Sequence, residues 1–186
     1  MEGVIWELHK KALSLQPYFS FFMKKELLSP NYIFETSWEV CNKVGGIYTV
    51  LSSRAKTLKD NYQDQLVFIG PDLKQPTANV DFKEDAKLFP AWKKAAANFG
   101  VKCRIGRWMV PGEPVAVLVD FEPFFEQKNN IYAQAWELFS VDSIRAYGDY
   151  DEASMFSYAA ARFAEAVVSN CIEQQAKVIY QAHEWM

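Results

Sequence analysis

Between Tyr32 and Gly70 the hydrophobic period of the chain changes twice, and that change limits the folds open to it. Tyr32-Ile33-Phe34 reads as a strand. Ile47, Val50, Leu51, Ala55 and Leu58 then recur at three- and four-residue spacing, the mark of a helix with one apolar face. Residues 65–70, QLVFIG, are a short continuous apolar run closed by Gly70-Pro71, as in a strand buried on both faces of a parallel sheet. Strand, helix and strand in this order make a βαβ unit with a right-handed crossover. The joint between the first strand and the helix is Asn42-Lys43-Val44-Gly45-Gly46. The first N–H groups of a helix have no intrahelical partner, and the helix dipole favours negative charge there. Gly45 and Gly46 let a ligand approach the backbone and tolerate φ > 0, and Lys43 adds a positive charge. On the residues alone two readings stand: an anion site, or a tight turn whose lysine faces solvent.

The rest of the chain extends the same pattern. Residues 1–22 carry Ile5, Leu8, Ala12 and Leu15 on one face of a short helix before Pro17. They are either an N-terminal extension, with Met23 as the natural start, or a docking helix. They contain no small-residue cleavage site, and no run in the chain approaches the roughly 18 apolar residues of a membrane span. Residues 72–86 are polar and read as a surface insertion. Residues 92–99 suggest a short helix. The apolar runs 102–108 and 115–121 flank Pro111-Gly112, a turn signal, and make a hairpin or two neighbouring strands. Residues 124–141 have helical spacing, with Ile131, Ala135, Leu138 and Phe139 on one side. Asp149 is placed as an N-cap, and Glu152 completes a capping box. Phe156, Ala159, Phe163, Val167 and Cys171 then mark a long buried helix face, and 177–182 is the last strand. Strands alternating with helices predict an α/β domain with a largely parallel sheet and helices on both faces. In such sheets ligands bind at the carboxyl ends of strands, so Lys43–Gly46 and His183 are expected to face one crevice.

Composition narrows the function. With 186 residues, half of them hydrophobic, the chain can bury one sizeable core. A formal charge of −3 and the lack of a basic cluster give no reason to expect nucleic acid. Cys41, Cys103 and Cys171 are odd in number and widely spaced, which fits buried thiols in a reducing, cytoplasmic compartment. Two histidines, His9 and His183, do not make a zinc pattern, so no metal is expected. There is no Gly-x-Ser-x-Gly elbow. There is no Gly-x-Gly-x-x-Gly either, which argues against a dinucleotide-dependent oxidoreductase. His183 is either a structural or surface histidine or, at a strand's carboxyl end, a catalytic one. Asp149, Asp151 and Glu152 form an acidic cluster whose bland reading is helix capping.

Three separated motifs occur in order: FETSWEVCNKVGGIYTVLSSRAK, Arg104-Ile105-Gly106-Arg107-Trp108, and His183-Glu184-Trp185. From about Tyr32 onward the chain resembles the glycogen synthase family in its animal, fungal and related bacterial branch. The resemblance implies a GT-B fold, two Rossmann-like domains with the active site between them. It implies retaining transfer of glucose from UDP-glucose or ADP-glucose to the non-reducing 4-OH of an α-1,4-glucan. Nucleotide sugar and α-glucan are then the expected partners, with no cofactor. It places Gly45 and Gly46 against the donor's phosphates and sugar, with Lys43 beside them, and puts His183 as the catalytic residue next to the transferred glucose. Asp151 falls on an aspartate near the glucose in bacterial relatives. The expected organisation is an extension at 1–22 and, at 23–186, part of the N-terminal Rossmann-like domain, incomplete and without the C-terminal domain. Such a fragment is expected to be inactive alone. The alternative is a non-catalytic half-domain that binds an α-glucan or a protein partner.

Overall fold

Alternation along the first strand decides which helices cover which face of the sheet. The computed structural model describes residues 29–75 and 78–183. The expected extension at 1–22, the Met23 start and Glu184-Trp185 lie outside them. In β1 (Tyr32–Thr36) successive side chains point to opposite faces, so Phe34 joins one apolar cluster and Ile33 the other. The same split runs through β2 (Leu66–Pro71), where Val67 and Ile69 face the Phe34 side and Leu66 and Phe68 the Ile33 side. Helix α1 (Gly46–Tyr62) covers the Ile33 side with Leu51 and Ala55.

After β2 comes β3 (Phe82–Glu84), followed by α2 (Pro90–Asn98). Then come β4 (Lys102–Trp108), β5 (Val115–Asp120), α3 (Lys128–Phe139), α4 (Tyr150–Cys171) and β6 (Val178–Ala182). Helices α2 and α4 cover the Phe34 side, where Trp92, Ala96, Phe156 and Phe163 are buried. The sheet order is β3-β4-β5-β2-β1-β6. Strands β5, β2, β1 and β6 run parallel. Strand β4 is antiparallel to both β5 and β3, so the parallel Rossmann-like part carries a mixed edge. The two runs around Pro111-Gly112 are therefore a hairpin. Gly112 takes φ +94°, and a Cβ there would lie 2.7 Å from the Lys56 Cα, so the turn rests directly on α1.

Four local expectations change. The 72–86 insertion contributes β3, a short edge strand whose mostly exposed side chains show no apolar run. The helix expected from residue 124 begins at Lys128, after a 3₁₀ turn over Glu122–Gln127 that turns Phe124 into the core. Of the residues expected on one side of α3, Ile131 packs against the core while Leu138 and Phe139 are exposed, and Tyr132 is the buried residue of that helix. Asp149 does stand at the N-cap of α4, but its side chain makes no cap bond and the capping box does not form. Its backbone carbonyl accepts from the Ala153 N–H instead. No helix among the described residues is long and apolar enough to cross a membrane.

Candidate active site

The parallel strands end together at Thr36, Pro71, Asp120 and Ala182. Register then places the candidate residues. Thr36 pairs with Ala182, so the next residue of β6, His183, lies beside the start of the loop leading to α1. Its N–H donates to the Thr36 carbonyl at 2.9 Å. The loop lies flat on the end of β2 because residue 70 is glycine: a Cβ there would come 2.5 Å from the Val40 carbonyl.

His183 enters a buried polar cluster. Glu35 of β1 is 2% exposed, and its Oε2 pairs with Arg54 of α1. The His183 Nε2 lies 3.1 Å from the same oxygen and 3.4 Å from the Arg54 Nη2. Glu35 and Arg54 both lie within the first motif, Phe34–Lys56, which gives neither of them a role. The signal was a carboxylate inside a five-residue strand otherwise fit for burial, with an arginine on the helix that covers it.

The glycine loop differs from the expectation of an open anion site. Glu39, itself buried, folds back so that Oε2 accepts from the Gly45 N–H at 2.7 Å and the Tyr48 N–H at 2.9 Å. A carboxylate of the chain thus already sits at the positive end of α1. Its other oxygen, Oε1, is buried without a hydrogen-bond partner. Neither Gly45 nor Gly46 adopts positive φ; Gly45 has φ −146°, and Cys41 takes the left-handed turn at φ +56°. A Cβ added at Gly46 would meet nothing within 4 Å, so the space above it is open. Lys43 is exposed, with Nζ 5.6 Å from the centre of the Tyr48 ring. The Tyr48 hydroxyl donates to Asp81 at 2.6 Å. Burial, helped by that bond, pushes its pKa up to about 12.

Two clefts meet at Trp38. One, of about 170 Å³, is lined by Thr36, Phe156, Tyr180 and His183. The other, of about 620 Å³, is lined by Asn42, Val44, Lys74, Phe121 and Phe125. Trp38 lines both and packs edge-on against Phe121 and Phe156. His183 and the neighbours of the glycine loop thus share one aromatic-walled edge. Lys74 there lies 3.4 Å from Asp120 and 3.6 Å from Asp72, and Asp72 also takes a two-pronged contact from Arg104.

Asp151 is not brought to this group. In the first turn of α4 its carboxylate accepts from the Lys128 Nζ at 2.6 Å and the Tyr132 hydroxyl at 2.7 Å, tying α3 to α4. These bonds, Lys128's first, hold its carboxyl below the usual range. It lines neither cleft, whereas its neighbours Glu152 and Ala153 line one each. Among the described residues no group of three or more His, Cys, Asp or Glu could hold a metal ion.

The sequence model of the family described as glycogen synthase matches residues 35–186. The glycogen [starch] synthase of Neurospora crassa is 32% identical over 157 residues, covering 83% of this chain and 22% of that protein. Glycogen [starch] synthase isoform 2 of Saccharomyces cerevisiae is 28% identical over 172 residues, covering 86% of this chain and 24% of that protein. The human liver glycogen [starch] synthase is 30% identical over 157 residues, covering 82% and 22%. The chain therefore spans less than a quarter of the length of these relatives.

Proposed function

This chain belongs to the glycogen synthase family, and on that premise we propose that it forms one wall of the active site of a retaining glucosyltransferase. The reaction is transfer of glucose from UDP-glucose or ADP-glucose to the non-reducing 4-OH of an α-1,4-glucan. The observation that carries this reading is the meeting of His183 and the glycine-loop neighbours at the carboxyl edge of four parallel strands, around Trp38. In this reading His183 stands beside the transferred glucose. Gly46, with open space where a Cβ would be, admits the donor. Lys43 supplies a mobile charge to the diphosphate.

Because Glu39 already occupies the end of α1, the helix dipole supplies little to the diphosphate. A leaving diphosphate needs preorganised positive charge, and Lys43 is one cation. We therefore assign most of the neutralisation to a second domain that faces this wall. Asp151 acts on the sugar only through a local movement of its Lys128 and Tyr132 contacts, so in this conformation it is a strut of the site.

The test is incorporation of labelled glucose into glycogen from either nucleotide sugar. We expect turnover from a natural gene product that carries this sequence and a second α/β domain, and none from the 186-residue chain. Turnover by the chain alone overturns the two-wall reading; an inactive two-domain product overturns the function. For the chain by itself, the aromatic edge at Trp38, Phe121 and Phe125 favours a second reading, a half-domain that holds an α-glucan without turnover. Calorimetric binding of maltoheptaose, lost in Trp38→Ala, supports it; absence of any binding removes it.

A further inference from the structure

Glu35 is the odd residue of its strand. Alternation puts it on the same face as Ile33, which packs into the apolar cluster under α1. A carboxylate buried there is costly unless it is paired and hydrogen-bonded. Both partners come from elements that the fold brings together: Arg54 from α1 and His183 from the end of β6. An ionised carboxylate only accepts and a guanidinium only donates, whereas a neutral imidazole does one at each nitrogen. The His183 Nε2 therefore has two formal roles. It donates its hydrogen to Glu35 Oε2 at 3.1 Å, or it is bare and accepts from Arg54 Nη2 at 3.4 Å. The carboxylate is nearer, and its hydrogen bond is charge-assisted and roughly twice as strong as a neutral one. The Arg54 Nη2 gives one of its two hydrogens to the same Oε2, and its contact with the ring is the longer one.

We propose that Glu35, clamped by Arg54, is a positioning residue that holds His183 as the Nε2–H tautomer, so that the ring nitrogen left for a ligand is Nδ1, an acceptor. His183 lines the cleft with Thr36 and Tyr180. A ligand meeting the ring there must bring a donor, which a sugar hydroxyl does and a bare carbonyl or phosphate oxygen does not. This consequence rests on the reading of the cleft as a sugar site; the tautomer itself does not.

The experiment is nitrogen NMR of the imidazole in the 186-residue chain, at a pH high enough for a neutral ring. The chain has two histidines, so a His9→Gln variant assigns the signal. We expect His183 to show Nε2 at the protonated position and Nδ1 at the bare position. Glu35→Gln, which keeps shape and loses charge, should move both resonances towards the tautomer-averaged position. Arg54→Lys, which keeps the cation, should retain the wild-type pattern. A wild-type ring with averaged or Nδ1–H resonances overturns the proposal, and so does a Glu35→Gln ring identical to wild type. If Glu35→Gln fails to fold, the wild-type spectrum decides alone. Added maltose separates the two levels of the argument. A ring that keeps one tautomer yet ignores maltose supports the clamp and counts against the sugar reading.

Discussion

At the scale of single residues, the glycine loop separates space from charge. Gly46 is not strained and nothing lies within 4 Å of where its Cβ would be. Gly46→Val should therefore leave the fold intact, as circular dichroism would show, and remove donor turnover in the active protein by filling the ligand's space. Lys43→Ala should act more mildly. Losing one charge-assisted contact costs about 1.5–3 kcal/mol, or roughly tenfold to a hundredfold in kcat/KM for the donor. Near-normal kcat/KM in both variants would leave the loop as a plain turn. Glu39 is the opposite case, a structural charge. Glu39→Ala strands two N–H donors at the start of α1. An unsatisfied buried donor costs about 1–3 kcal/mol, and a domain of this size moves by about 2–4 °C in Tm per kcal/mol. A melt unchanged from wild type would show that water replaces the carboxylate without loss.

At the scale of elements, the turn after α1 is pinned to the hairpin by ions. Asp64 accepts from both Nη1 and Nη2 of Arg107 on β4, at 2.6 and 2.9 Å, and also pairs with Lys59. The Arg107 bonds, with those of Lys59, pull its pKa down to about 2. An unfolded aspartate titrates near about 3.9. A folded value below the unfolded one gives stability that is complete above the unfolded pKa and is lost as pH falls through the folded one. Wild type should therefore lose more stability than Asp64→Asn between about pH 5 and about pH 2. Because the side chain is 39% exposed, solvent screening keeps the difference small. Parallel stability curves for the two proteins would show that the pair contributes nothing. The turn of the hairpin, just beyond Arg107, is pinned by shape. Gly112→Ala combines φ +94° with a Cβ 2.7 Å from the α1 backbone, and should cost more than about 1 kcal/mol in denaturant melts.

At the scale of the molecule, one sheet is shared by two apolar clusters. Phe163 anchors one face and Leu51 the other, and both are fully buried. Leu51→Ala should cost about 2–5 kcal/mol and Phe163→Ala about 3–5 kcal/mol. Because β1, β2 and β5 contribute to both clusters, each variant should still unfold in a single transition, seen alike by fluorescence and circular dichroism. An early, separate loss of α1 in Leu51→Ala would show that the faces are independent. Burial also explains the thiols: Cys41 and Cys103 are buried, and burial raises both, Cys103 to about 11.

What the sequence determined by itself was the order and kind of most elements, the short edge strand β3 excepted. Local period decides whether Tyr32–Thr36 is a strand and Tyr150–Cys171 a helix, and period is written in neighbouring residues. The family was legible as well, because three motifs kept their order and the matching region starts at Glu35. The placing of Lys43–Gly46 and His183 after strands followed from the same periodicity. What only the tertiary structure decided was which charge meets which. Glu35, Arg54 and His183 are separated by up to 148 positions and meet because β6 pairs with β1 while α1 crosses above them. Glu39, a buried carboxylate, caps the helix expected to be open, and the half-exposed Asp151 turns to Lys128, because each takes the donors the packed chain brings within reach. That choice depends on register, on crossover geometry and on the absence of a Cβ at Gly70, none of which a local pattern carries.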